Sequence, residues 1–304
     1  MKIRLYSFAI ILIIVTGFYT AKAQGPTQGL LAYWSFSGSA ADSSGNGHNG
    51  TVNGATLTTD RFGNSNSAYY FDGNDYIDFG ASSSLTPNNH TVNLWFKYTD
   101  DANSPQVLFN NTNSNSGEYG VMAYYVAGYG MRYKAAAGSS DRVSFVETSP
   151  SYADGHWHML TGTYDTATNK LAMYIDECFV GYQNGAGTKG GLNATDNITY
   201  NPTEHWVAGA ASQYFSSTVN NGPQYFKGSL DDIRIYNRSL SPMEIRDLYY
   251  EGITIYDTVR VSIAVTDTLY MDIQWSSSAS QFNQAKVYPN PAKDKIVLDL
   301  GDYT

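Results

Sequence analysis

The chain has 304 residues, with 18 Lys+Arg against 27 Asp+Glu. Residues 1–23 carry three of the basic residues and no acid, so the remainder stands at 15 − 27 = −12. A surface that acidic excludes nucleic acid and anionic lipid as partners, since both demand clustered positive charge. It is compatible with cation binding.

The N-terminus reads as a secretory signal peptide over residues 1–23. Lys2 and Arg4 precede an apolar core from Phe8 to Val15, and Ala21-Lys22-Ala23 forms an A-x-A cleavage pattern. That core is too short to span a bilayer, and no other stretch is apolar for long enough. The expected product is exported, without a transmembrane segment. Cys178 is the sole cysteine, so no internal disulfide can form. Stability must come from the core or from bound metal, and a chain of this length can bury a large core.

Strands follow one another with polar turns between them. Leu30–Phe36 is the first. Ala68–Phe71 and Tyr76–Phe79 flank Asp72-Gly-Asn-Asp75, read as a hairpin turn or as a second cation loop. In Thr91–Tyr98, Val92, Leu94, Phe96 and Tyr98 alternate with Asn93, Trp95 and Lys97. Tyr119–Val126, Met131–Lys134 and Arg142–Glu147 come next. Trp157–Tyr164 and Lys170–Ile175 form a pair joined by the hairpin-length loop Asp165–Asn169. His205–Gly209 and Tyr225–Tyr236 close the series. Short strands at this spacing predict an all-β, two-sheet antiparallel jelly-roll sandwich rather than βαβ units. One helix is predicted, from Pro242 to Glu251. Ser241 is its N-cap, Glu244 completes a capping box, and Ile245, Leu248 and Tyr249 form its apolar face.

The loop Asp42–Gly50 supports two readings. Its glycines fold tightly and can turn carbonyls inward, and its one carboxylate and two side-chain amides add oxygens, the mixed set that calcium requires. Taken alone, it reads first as a polar turn in which Asp42 hydrogen-bonds its own backbone. His156 and His158 share a strand face but lack a third zinc ligand nearby, so packing or surface positions are expected. Cys178 is read as a buried, inert thiol. Tyr124, Tyr125, Tyr129 and Tyr133, around the run Ala127–Gly130, and Tyr214 with Phe215, are candidate sugar platforms or simply core.

Gly29–Phe36, Ala41–Gly50, Tyr70–Ile77, His156–His158 with Thr163–Asp165, and Gly228–Ile245 together resemble laminin-G-like domains of the concanavalin A-like superfamily, over about residues 26–252 in order. The resemblance implies a secreted, non-catalytic binding domain with one short C-terminal helix, occupying residues 24–252. Its partner is expected to be a glycan or a cell-surface or extracellular protein. It also implies a structural calcium ion held by Asp42, Asn46, Gly47, His48 and Asp231, clamping the first and last strands in place of disulfides. Strand alternation puts Asp232 on the opposite face from Asp231. The turn after Ile175 departs from the family's usual Asp-Gly. Glu177 is unfavourable at φ > 0, so a different turn is expected there.

Superfamily members also include glycoside hydrolases, which use two carboxylates about 5 Å apart. The Glu-x-Asp-x-x-Glu run expected of them does not occur, so no enzymatic activity is expected. The alternatives are a polysaccharide-degrading hydrolase or its accessory module, or a purely structural spacer. Beyond residue 252, 253–285 reads as a linker in which Asp257-Thr and Asp267-Thr resemble O-glycosylation sites. Val287-Tyr-Pro-Asn-Pro, within 286–304, resembles the start of a Bacteroidetes type IX C-terminal sorting domain. That likeness implies a truncated unit, the type IX secretion machinery as a partner, and a secreted or outer-membrane cell-surface location.

Overall fold

The computed structural model describes residues 25–100, 105–112, 119–137, 143–148, 152–184, 198–201, 203–211, 224–253, 261–264, 286–289 and 295–299. The signal-peptide reading, the Tyr214 and Phe215 platform and the Asp-Thr pairs at 257 and 267 lie outside these residues.

The described residues of the compact unit Gly25–Tyr249 form fifteen strands and one α-helix. The strands run in order β1 Leu30–Trp34, β2 Thr51–Asn53, β3 Thr56–Thr58, β4 Ala68–Asp72, β5 Tyr76–Asp78, β6 His90–Lys97, β7 Gln106–Asn110 and β8 Tyr119–Val126. They continue as β9 Gly130–Ala137, β10 Val143–Glu147, β11 His158–Asp165, β12 Lys170–Ile175, β13 Cys178–Asn184, β14 Val207–Ala208 and β15 Lys227–Tyr236, before α1 Pro242–Tyr249. Two antiparallel sheets form. One has the order β13-β12-β11-β6-β15-β4-β3, with β1 also paired to β15, and the other has the order β10-β9-β8-β7-β14-β5-β2. The expected sandwich is therefore present.

Alternate side chains of both sheets fill the space between them, as a period-2 pattern requires. Trp34, Phe71, Phe96, Phe109 and Trp206 are fully or almost fully buried there. Trp34 packs on Phe79 with centroids 4.0 Å apart, and Phe109 stacks on Trp206 at 5.1 Å. Gly162 on β11 is a close-approach position, because a Cβ there would stand 2.3 Å from the Tyr133 ring. The predicted Asp165–Asn169 hairpin joins β11 to β12 in continuous antiparallel register.

Asp72–Asp75 is not a hairpin. β4 lies in the first sheet and β5 in the second, so this turn is a corner between sheets. Asp75 is buried and accepts the Asp72 N–H at 2.9 Å.

The first sheet is buried on both faces near its centre, because α1 packs on its outer side. Ile245 and Leu248 of α1 join Trp95, Met159, Tyr236 and Leu240 in a second apolar cluster. The capping box forms as read from the sequence. Ser241 N–H donates to Glu244 at 2.9 Å, and Glu244 N–H donates to Ser241 Oγ at 3.3 Å. Arg238 grips the same carboxylate through two nitrogens at 2.9 and 2.6 Å. Those bonds from Arg238, then those from Ser241, hold the Glu244 carboxyl down at about 2.

Taken by themselves, the described C-terminal strands β16 Val261–Ala264, β17 Lys286–Pro289 and β18 Lys295–Asp299 form a three-stranded antiparallel sheet in the order β16-β18-β17.

Candidate functional site

The Asp42 loop leaves β1 and folds back along it. Asp42 Oδ1 accepts the N–H of Tyr33 at 3.1 Å and of Ser44 at 2.9 Å, and Oδ2 accepts the N–H of His48 at 3.0 Å. Partial burial raises the Asp42 carboxyl, but these donors, together with the Ser44 hydroxyl, outweigh it and hold the group below its ordinary value. The Asn46 amide donates to the Leu31 carbonyl at 2.9 Å, and the His48 carbonyl accepts the Trp34 indole N–H at 2.5 Å. Gly45 and Gly47 take φ of 86° and 85°, which lets the loop tighten around the carboxylate.

Asp231 lies elsewhere, in a buried ionic cluster on the outer face of the first sheet. β15 changes partner along its length: residues 227–230 pair with β4, and 233–236 pair with β1. At the junction the strand carries one extra residue, since Asp231 pairs with Trp95 and Arg234 with Asn93. Asp232 is that residue, with φ 47°. The bulge breaks the alternation. Both carboxylates therefore turn to the same side and meet Arg61 Nη1, Asp231 at 3.5 Å and Asp232 closer still. The expectation that Asp232 faces away from Asp231 is corrected by this bulge.

Arg61 comes from the β3–β4 loop. Asp60 shapes that loop by accepting the N–H groups of Phe62 and Asn64, each at 2.8 Å. The Arg61 guanidinium lies 4.5 Å from the Trp95 ring centroid and 4.3 Å from that of Phe62, with its side chain only 8 % exposed. Asp232 also accepts the Tyr33 hydroxyl at 2.5 Å, and Arg234 stacks 3.8 Å over the Tyr33 ring. Burial, then the neighbouring Asp232, pushes Asp231 well above the carboxylate range. Burial opposes ionisation of Asp232 too, but Arg234, Arg61 and Tyr33 outweigh it and keep its carboxyl low.

As arranged, Asp42, Asn46, His48 and Asp231, four of the five residues expected to hold calcium, do not turn their oxygens to one point. The Asp42 oxygens and the His48 carbonyl face N–H donors, the Asn46 amide faces Leu31, and Asp231 faces a guanidinium. Calcium needs six to eight oxygens turned to one point. Among the described residues no three His, Cys, Asp or Glu side chains assemble in a way that could hold a metal. Tyr33 joins the two regions, through its N–H to Asp42 and its hydroxyl to Asp232.

The other candidates separate. His158 lies between Asp176 at 2.6 Å and Asp154 at 3.1 Å, while the His156 side chain is 81 % exposed. The bond from Asp176 outweighs burial and raises the His158 imidazole. Cys178 is exposed, not buried, because it opens the edge strand β13. Tyr125 and Tyr133 are core, Tyr124 is half-buried, and Tyr129 is exposed beneath the Arg132 guanidinium at 4.4 Å.

The turn after Ile175 also corrects its expectation. Asp176 and Glu177 both take positive φ, 50° and 62°, as a type I′ hairpin requires. Asp176 is held there because its carboxylate accepts the Met159 N–H at 2.8 Å and bonds His158, while its own N–H donates to the Met159 carbonyl at 2.9 Å.

A laminin-G-like family model, described as the concanavalin A-like lectin/glucanases superfamily, matches residues 71–246. No curated protein matches the chain by sequence. Domain 4 of AbnA, a GH43 extracellular arabinanase from Geobacillus stearothermophilus solved with arabinotriose, is similar in fold. Its TM-score is 0.53 at 19 % identity, covering 72 % of this chain and 98 % of that one. The binding domain of Paraclostridial Mosquitocidal Protein 1 gives 0.52 at 16 %, covering 73 % of this chain and 52 % of that one. The binding domain of Botulinum Neurotoxin DC in complex with SialylT gives 0.54 at 9 %, covering 73 % and 51 %. This chain thus spans about half of each toxin binding domain. At these identities the likenesses speak for the fold. The family match spans more than half of the chain and coincides with the observed sandwich, so the protein belongs to the concanavalin A-like lectin/glucanase superfamily.

Proposed function

We propose that the sandwich is an exported, non-catalytic binding module for saccharides, displayed or released outside the cell. The observation that carries the non-catalytic part is the commitment of the acid pair. Asp231 and Asp232 are 2 % and 7 % exposed and bonded to Arg61, so no substrate reaches them. A retaining glycosidase needs two carboxylates open to the scissile bond. The binding part is supported by the fold's company: the arabinanase domain was solved with arabinotriose and one of the toxin domains with SialylT. Function on a shared fold must still be tested at its own site.

Among the described residues no helix is long and apolar enough to cross a membrane. Export rests on the leader-like N-terminus, and a type IX route rests on the Val287–Pro291 likeness. Fractionation of the host checks both, with full-length protein retained in the cytoplasm overturning export. For function, the purified domain is applied to a glycan array and, in parallel, to a polysaccharide panel with reducing-sugar detection. Saturable array binding without sugar release is the expected result. Sugar release restores the hydrolase alternative, and silence in both assays leaves the spacer.

A further inference from the structure

We propose that the saccharide lies on the outer face of the β12–β13 hairpin, on a platform made by Tyr174, Phe179 and Tyr182. This site rests on the saccharide-binding reading above. Phe179 and Tyr182 are among the most exposed large hydrophobic side chains described, at 53 % and 49 %. Their rings are stacked, 28° from coplanar with centroids 6.1 Å apart, and Tyr174 adjoins Phe179 at 5.4 Å. Lys170 stands 4.9 Å over Tyr182.

The platform is built by a register change. Residues three apart in a regular strand face opposite sides. Here Met173 pairs with Gly181 but Tyr174 pairs with Phe179, so β13 holds one extra residue, Val180. Val180 packs on the inner core. Phe179 and Tyr182 then both face outward, opposite Tyr174 and Ala172. Bulges that re-aim side chains are designed features rather than defects. The adjoining turn holds two consecutive non-glycine residues at positive φ, a cost that persists where the surrounding structure demands it. Ala172 is too small to cover the rings.

The occupant follows from the chemistry. Ring faces suit the C–H faces of a sugar. The Lys170 ammonium and the tyrosine hydroxyls, interleaved with those rings, suit its hydroxyl or carboxylate groups. A second copy of the chain would instead favour an unbroken apolar strip. Exposed aromatic clusters of this kind mark binding surfaces.

The experiment compares wild type, Phe179→Ala, Tyr182→Ala, Phe179→Tyr and Tyr129→Ala on arabino-, xylo-, cello- and sialyl-oligosaccharides, with melting and sedimentation as controls. The expected result is a loss of tenfold or more in affinity for each platform alanine variant at unchanged melting temperature. Phe179→Tyr and Tyr129→Ala should stay within about twofold. Affinity retained in both platform alanine variants overturns the site while leaving saccharide binding intact. No binding by wild type overturns both. Monomerisation of a wild-type dimer by the alanine variants, without a change in sugar affinity, assigns the strip to self-association and also overturns the site.

Discussion

Two of the register shifts in the first sheet turn side chains to its outer face, with opposite outcomes. In β15 the extra residue Asp232 brings two acids to one side, where Arg61, Tyr33 and Trp95 meet them. In β13 the extra residue Val180 brings two aromatic rings to one side, where solvent meets them. The backbone device is the same: one unpaired residue that resets the alternation. What differs is the cover. The centre of the sheet is roofed by α1 and the β3–β4 loop, and a roofed charge must find a countercharge. Among the described residues the edge has no such roof, so the rings stay open.

The strongest way to break this comparison is to remove the countercharge. Arg61→Met leaves two buried acids without their shared guanidinium. Breaking a buried pair by deleting one partner costs about 3–5 kcal/mol, and urea denaturation reads that loss directly. A cost below about 1 kcal/mol, the range of exposed pairs, would show that the centre is no more sealed than the edge.

The roof itself is tested next. Glu244→Gln weakens the charged bonds from Arg238 and Ser241 and should cost about 1–3 kcal/mol. The pH dependence has a definite sign. The Glu244 carboxyl is lowered from 4.5 to about 2 in the fold, so its contribution is complete above 4.5 and is lost as pH falls toward 2. The variant should lack that acid-sensitive component, and a wild-type profile in Glu244→Gln would refute the assignment.

The edge responds more weakly and with the other sign. Glu177→Gly relieves the left-handed backbone cost of about 1–2 kcal/mol against about 0.5–1 kcal/mol of added chain entropy, so a small net stabilisation is expected. Asp176→Gly at the neighbouring position should destabilise, because the bonds to Met159 and His158 go with it. Thermal melts of the pair decide whether the turn is strained as described. The smallest expected effect is that of chelation. The Asp42 oxygens face backbone N–H groups and the Asp231 carboxylate faces Arg61, so EDTA or EGTA should leave the melting temperature unchanged. A drop of several degrees, abolished in Asp42→Ala, would return the structural calcium to the loop.

Much of the fold was legible in the sequence because it rests on local physics. The period-2 strand at Thr91–Tyr98, the polar turn at Asp165–Asn169 and the capping box at Ser241–Glu244 depend on residues within a few positions of each other. β7 and β13 were not recognised, although both pair along their length with β8 and β12, and that pairing is what makes them strands. The Asp42 loop was legible as a compact turn around a carboxylate. Its expected link to Asp231 was not observed, since the loop's polar groups close on β1 itself.

The sequence by itself determined the alternation, the caps and the family motifs, all set by short-range propensity and side-chain period. Only the tertiary structure decided which residues share a face. A bulge depends on where a strand changes partner, and that choice is made by strands 132 or more positions away, such as β1 and β6 beside β15. Arg61 reaches Asp231 across 170 positions, and no local pattern marks it. Phe179 and Tyr182, three apart, read as facing opposite sides until the register with β12 turns them together. The location of charge and of exposed aromatic surface, which function depends on, followed from pairing rather than from pattern.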